Sequence, residues 1–157
     1  MSVRVGTQVR AAVRAAVRAQ EEYGKAVIAF QQGEAGHAAF YLGAMAHYIG
    51  DVSQYGHSWR DEVHHGDDES WVASRTAAFS GGMFDDYIDG DSLVRRTAFT
   101  AARRISVATF RGDDDILSAK EMDGLYSTKP QEYLDSFGES LNLAVNELAD
   151  VLHTFSH

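Results

Sequence analysis

The chain of 157 residues has no cysteine. Disulfides, thiolate nucleophiles and every cysteine-based zinc site are thereby excluded, so any metal must be held by imidazole and carboxylate. Proline is nearly absent; the single one, Pro130, falls outside the long periodic stretches. No apolar run approaches the ~18 residues that a membrane span requires. The first stretch, "MSVRVGTQVRAAVRAAVRAQ", is interrupted by arginine every few residues and lacks the apolar centre of a signal peptide. The expectation is a chain that stays in the cytoplasm, or a mature or shortened form of a longer precursor. Positive charge is also scarce: 14 Lys and Arg stand against 23 Asp and Glu, a net charge of -9. That disfavours duplex DNA binding by phosphate neutralisation. It leaves room for an enzyme acting on phosphodiesters, where a bound metal supplies local positive charge. The glycine-rich phosphate and dinucleotide loops and the Gly-x-Ser-x-Gly elbow are missing as well.

What is present reads as helix. Hydrophobic residues make up 45%, enough at this length for one domain, residues 1–157, with one hydrophobic core. Ala, Leu, Arg, Glu and Gln dominate the long segments, and short β-branched runs joined by tight turns are lacking. The first helix is expected from about Thr7 to Gln32. Val9, Val13 and Val17 form one strip of it, and Arg10, Arg14 and Arg18 the next. That arginine stripe is either a solvated face or an attractor of anionic phospholipid at a membrane surface. Gly33 breaks the helix. A second is expected from about Glu34 through Val52, a bend over "SQYGHSW", a third segment from His64 to Phe79, and a loop over "SGGMFDDYIDGD". A fourth helix, capped by Asp91 or Ser92, runs to Phe110. Asp115 caps a short one after the "RGDDD" turn, and a last runs from "STKPQE" to Thr154. The predicted fold class is all-α, a compact bundle of five to six helices.

Two pairs of residues have the spacing of metal ligands. His47 and Asp51 are four apart and share one helix face. His57 lies ten residues past His47; on an unbroken helix it would point roughly 80° away. Gly50 and Gly56 permit a bend that returns it. His65 and Glu69 are again four apart, and His64 is an alternative to His65. A catalytic zinc takes three protein ligands and keeps one open position. Five candidates, His47, Asp51, His57, His65 and Glu69, exceed that number and suggest a cluster, in which paired metals clamp the attacking and leaving oxygens of a phosphodiester. The plainer reading of each pair is a hydrogen bond on a helix surface.

These residues carry a family resemblance. Phe40-Tyr41-Leu42-Gly43, then His47-Tyr48-Ile49-Gly50-Asp51, then Gln54-Tyr55-Gly56-His57 resemble the signature phrase of the bacterial zinc-dependent phospholipases C. His65, Glu69 and Val72 match that family's next element, and the zinc-dependent single-strand nucleases share a similar ligand pattern. The likeness covers residues 26–72. It implies an all-α fold around up to three zinc ions. His47 and Asp51 would sit at one, with Asp51 bridging to another and carried over as the catalytic residue. His57, His65 and Glu69 would hold the remaining ion. The implied activity is hydrolysis of phospholipid to diacylglycerol and a phosphorylated headgroup by metal-activated water. The implied partner is a phospholipid or another phosphodiester, and family habit implies export. Two departures stand out. Tyr55-Gly56 replaces a proline of the phrase, and no histidine or aspartate precedes His37, where the family has an N-terminal Trp, two further His ligands and an Asp base. The chain then reads as a shortened or divergent minimal member, with fewer zinc ions. The alternatives are a non-catalytic helical zinc-binding or interaction domain, and a single-strand nuclease.

The remaining features are weaker. "DDYIDGD" fails the calcium-loop pattern, since Tyr87 and Arg96 stand where ligands are needed. His153 and His157 form a frayed terminal pair or a weak surface site, and His37 is a solvent-exposed or capping residue. The aromatics Phe40, Tyr41, Tyr48, Tyr55, Trp59 and Trp71 lie near the candidate ligands as core, or as walls for a quaternary ammonium headgroup.

Overall fold

The computed structural model describes residues 2–59, 61, 63–76, 82–113 and 115–157, and the side chains among them except those of residues 2–12 and of His65. The fold is all-α. Among the described residues, seven α-helices and one 3-10 turn follow in the order α1 (Ser2–Gln31), α2 (Ala35–Asp51), α3 (Tyr55–Ser58), α4 (His65–Ala73), the turn Asp85–Tyr87, α5 (Ala98–Arg111), α6 (Ala119–Leu125) and α7 (Gln131–Phe155). Among the described residues extended pairing is limited to one isolated bridge, Asp113 with Ile116. The count exceeds the expected five to six because the "SQYGHSW" bend contains a helical turn of its own, α3.

Gly33 ends the first helix as its sequence position suggests. Its φ of 77° is a left-handed conformation that glycine adopts without a side-chain penalty, and α2 folds back on α1 from there. The hairpin closes on α5 and α7. Ala16, Ala19, Ala98, Ala101 and Ala102 let these helices approach closely, and Met45, Ile49, Ile105 and Val151 fill the space between them. A second apolar cluster lies under α3, α4 and α6. Its centre is Tyr55, Phe84, Met122, Tyr133 and Phe137.

Two expected caps are displaced. The fourth helix begins at Ala98 rather than after Asp91 or Ser92. Thr97 caps it, its hydroxyl accepting from Thr100 N at 3.1 Å. Residues 88–97 are instead an extended strap along α7. The backbone N–H groups of Asp89, Asp91, Val94 and Arg96 donate to Asn142 (3.0 Å), Asn146 (3.3 Å), Asp150 (2.8 Å) and Thr154 (2.7 Å). Those acceptors recur every fourth residue, one per helical turn, so one face of α7 serves the whole strap. The short helix after "RGDDD" begins at Ala119, not at Asp115. Ser118 and Glu121 form a reciprocal capping box there, which satisfies two orphan donors at once. Asp114 and residues 77–79 of the expected third helix lie outside the described residues.

Candidate metal centre

The bend that brings His57 round is held by buried hydroxyls. α2 ends at Asp51, and the carbonyls freed in residues 52 and 53 are taken up by other helices. Thr109 of α5 donates to Val52 O at 3.0 Å, and Ser140 of α7 donates to Ser53 O at 2.7 Å. Tyr55, 2% exposed, donates to Ser136 O at 2.9 Å. Burial pushes its phenol up from the ordinary tyrosine range. Every buried polar atom named here has a partner, so the α2–α3 corner has one geometry rather than several.

The corner sets His57 of α3 against α4. His57 Nε2 lies 3.3 Å from Glu69 Oε1, with the side chains 37% and 45% exposed. The family resemblance implies that these two residues share an ion, and the fold brings them together across twelve positions of chain. Their third expected partner, His65, stands one turn before Glu69 on α4. Its side chain lies outside the described residues. His47 Nε2 and Asp51 Oδ2 are also 3.3 Å apart, on the outer face of α2, where His47 is 69% exposed. Among the described residues no three His, Asp or Glu side chains converge on a metal-sized space. The two pairs are therefore separate, and the described side chains do not unite them in one cluster. His64, the alternative to His65, has its ring stacked on Tyr126 at 3.8 Å with the planes 6° apart.

Behind Glu69, α4 turns Asp68 inward. It is 5% exposed and takes a hydrogen bond from the hydroxyl of Tyr133, which is fully buried. Burial raises the Asp68 carboxyl above the usual aspartate range, while Tyr133 and the Lys129 ammonium pull it back. This pair fixes α4, and with it Glu69, to α7. No local sequence pattern pairs Asp68 with Tyr133, which lies 65 positions away. Tyr133→Phe leaves the buried carboxyl without its donor and is expected to cost about 1–3 kcal/mol in urea unfolding. A variant as stable as the parent would show that Asp68 is held by other means.

The aromatics divide by position. Tyr55 is core. Trp71 is covered by the chain's own cations, Arg75 at 4.3 Å and Lys129 at 5.8 Å from the ring centre. Phe40 is 69% exposed on α2. Arg18 of the arginine stripe is exposed and paired with Glu21 at 2.8 Å; the Arg10 side chain lies outside the described residues. His37 reaches Glu34, the residue before α2, at 2.9 Å, the local contact expected of it. The rings of His153 and His157 are 4.4 Å apart at the end of α7. Among the described residues no helix is long and apolar enough to cross a membrane. Comparison with models of protein families, with curated proteins and with solved structures finds no match.

Proposed function

We propose that this chain binds zinc through His57, His65 and Glu69 and hydrolyses phosphodiesters, with phospholipids as the substrate class. The observation that carries the reading is the 3.3 Å contact between His57 and Glu69, residues from two helices whose spacing alone left them apart. Nitrogen and carboxylate oxygen suit zinc, and the half-exposed position leaves room for a further ligand from solvent. When bound, the metal supplies an activated water and a positive charge for the developing phosphorane oxygens. The chain's own contribution is orientation. The buried hydroxyls at the corner hold His57, and the Asp68–Tyr133 pair holds the helix that bears Glu69. His47 and Asp51 form a second half-site on α2, apart from the first among the described residues.

A second reading is a zinc-binding domain without catalysis. It is favoured by the separation of the His47–Asp51 pair from the other candidates among the described residues. One experiment addresses both. Chelator-stripped protein is dialysed against zinc, its metal content is measured, and it is assayed on phosphatidylcholine micelles, a chromogenic phosphodiester and single-stranded DNA. The expected result is bound zinc in the parent, its loss in Glu69→Ala and His65→Ala, and turnover of the lipid. Zinc without turnover supports the second reading. Unchanged zinc content in both variants overturns the site.

A further inference from the structure

Positive charge is scarce in this chain, and it is concentrated on and just before α5. From Arg95 to Arg111 there are five arginines and no Asp or Glu, in a chain with a net charge of -9. The fold accounts for two of the five. Arg96 bridges Glu147 and Asp150, and Arg104 donates to Glu147. Arg103 and Arg111 are exposed, and among the described residues neither forms an ion pair. They do not stand on a flat surface. Together with Thr100, Arg104, Val107 and Asp113 they line an open cavity of about 460 Å³. Five of these six belong to α5 and fall within an arc of about 100° of the helix. Arg104 and Arg111 are two turns apart, about 10.5 Å along the axis, with Val107 between them. Glu147, 1% exposed, holds Arg104 Nη1 in place. The Arg104 side chain is still 54% exposed, so the rest of its donor fork is open to a ligand. Thr100 accepts from the Thr97 hydroxyl at 2.9 Å, which leaves its own O–H to donate. Against three guanidiniums, Asp113 is the single carboxylate among the described lining residues.

We infer that this cavity binds the phosphoryl group of a phosphate monoester. Guanidinium forks match phosphate oxygens with paired N–H donors, in a geometry that a lysine ammonium lacks. A phosphate monoester carries a charge of about -1.5 to -2 at neutral pH. That matches the two arginines left without a counterion once Arg104 is assigned to Glu147. Both are needed, because the last carbonyls of α5 lie at the negative end of the helix dipole and repel an anion. Arg111, in the last turn, offsets them. Val107, 38% exposed, gives the floor an apolar patch on which the carbon side of an ester rests. The inference does not rest on the zinc site, whose residues lie on α3 and α4.

The test is isothermal titration calorimetry of the full chain with phenyl phosphate, near neutral pH and at low salt, with chelator present so that no metal mediates binding. The parent is expected to bind. Arg103→Gln/Arg111→Gln is expected to bind at least about tenfold more weakly, with unchanged helical circular dichroism. Arg111→Lys keeps the charge and loses the fork, and is expected to fall between the two. Arg14→Gln/Arg18→Gln removes the same charge from α1 and is expected to bind like the parent. Co-sedimentation with phosphatidylcholine vesicles containing phosphatidic acid separates the two sources of a monoester. Co-sedimentation that the α5 double variant loses assigns the site to a lipid headgroup, and calorimetric binding without it assigns the site to a soluble ester. No binding by the parent in either arm, or equal binding by the parent and Arg103→Gln/Arg111→Gln, overturns the proposal. An Arg14→Gln/Arg18→Gln variant as weak as the α5 variant overturns it too, since overall charge would then be the cause. Single-stranded DNA bound more tightly than phenyl phosphate overturns the monoester in favour of a nucleic-acid face.

Discussion

Glu147→Ala is expected to lower the unfolding free energy by about 3 kcal/mol, the low end of the cost of breaking a buried ion pair. Glu147 is 1% exposed on α7. Its carboxylate faces Arg96 Nε at 2.7 Å and takes a hydrogen bond from Arg104 of α5. Arg96 also bridges to Asp150 at 3.0 Å, so the substitution leaves one arginine still paired and the other without its buried anion. The low end applies because the Arg104 side chain is 54% exposed and is rehydrated once released. Glu147→Gln keeps an acceptor in place and is expected to cost less. The same group gives stability a pH dependence. Burial raises its carboxyl above the ordinary 4.5, against the pull of Arg104 and Arg96. The folded chain therefore holds this proton to higher pH than the unfolded chain. The stabilisation it provides is complete below the ordinary glutamate value and is lost as pH rises through the raised, folded value. Urea titrations of the parent and of Glu147→Gln across that window should differ in slope. Parallel curves would remove Glu147 as the cause.

Gly138→Ala is expected to destabilise by about 2 kcal/mol, by overpacking. Gly138 lies on α7 where the Tyr87 ring crosses it, and a Cβ there falls inside the base of that ring. Tyr87 has little freedom to yield. Its hydroxyl donates to Asp135, and its ring packs on Phe84 at 6.3 Å. The contrast is Gly24 in α1, where an added Cβ meets nothing within 4 Å. Gly24→Ala is expected to gain up to about 1 kcal/mol from helix propensity alone. The pair of urea midpoints separates a glycine required by packing from one that is not. A neutral Gly138→Ala would mean that the Tyr87 turn moves aside at no cost.

Helix type was readable wherever one face repeats over several turns. α1, α2 and α7 begin and end within a few residues of where the valine strip, Gly33 and Pro130 place them. Asp91 and Ser92 have the chemistry of caps, yet α5 starts only at Ala98. The backbone N–H of Asp91 is committed to Asn146 and that of Asp89 to Asn142, more than fifty residues away, and no local pattern carries that information. The ligand pairs divide in the same way. His47 with Asp51 is a local spacing, and the contact follows from the helix itself. His57 with Glu69 depends on how α3 is held, and that rests on Thr109, Ser136 and Ser140. Taken singly, these are ordinary polar residues in apolar helices.

The strap over α7 has a consequence for the chain's behaviour in concentrated solution. An extended segment with Ile88, Leu93 and Val94 exposed is the kind of edge on which other chains nucleate as β-structure. Here four of its amide donors are already spent on a helix, which offers no second strand to grow from. Asp89, Asp91, Arg95 and Arg96 flank the apolar pair as gatekeepers. The fourfold spacing of acceptors on α7 thus protects the chain against aggregation as well as tethering a loop.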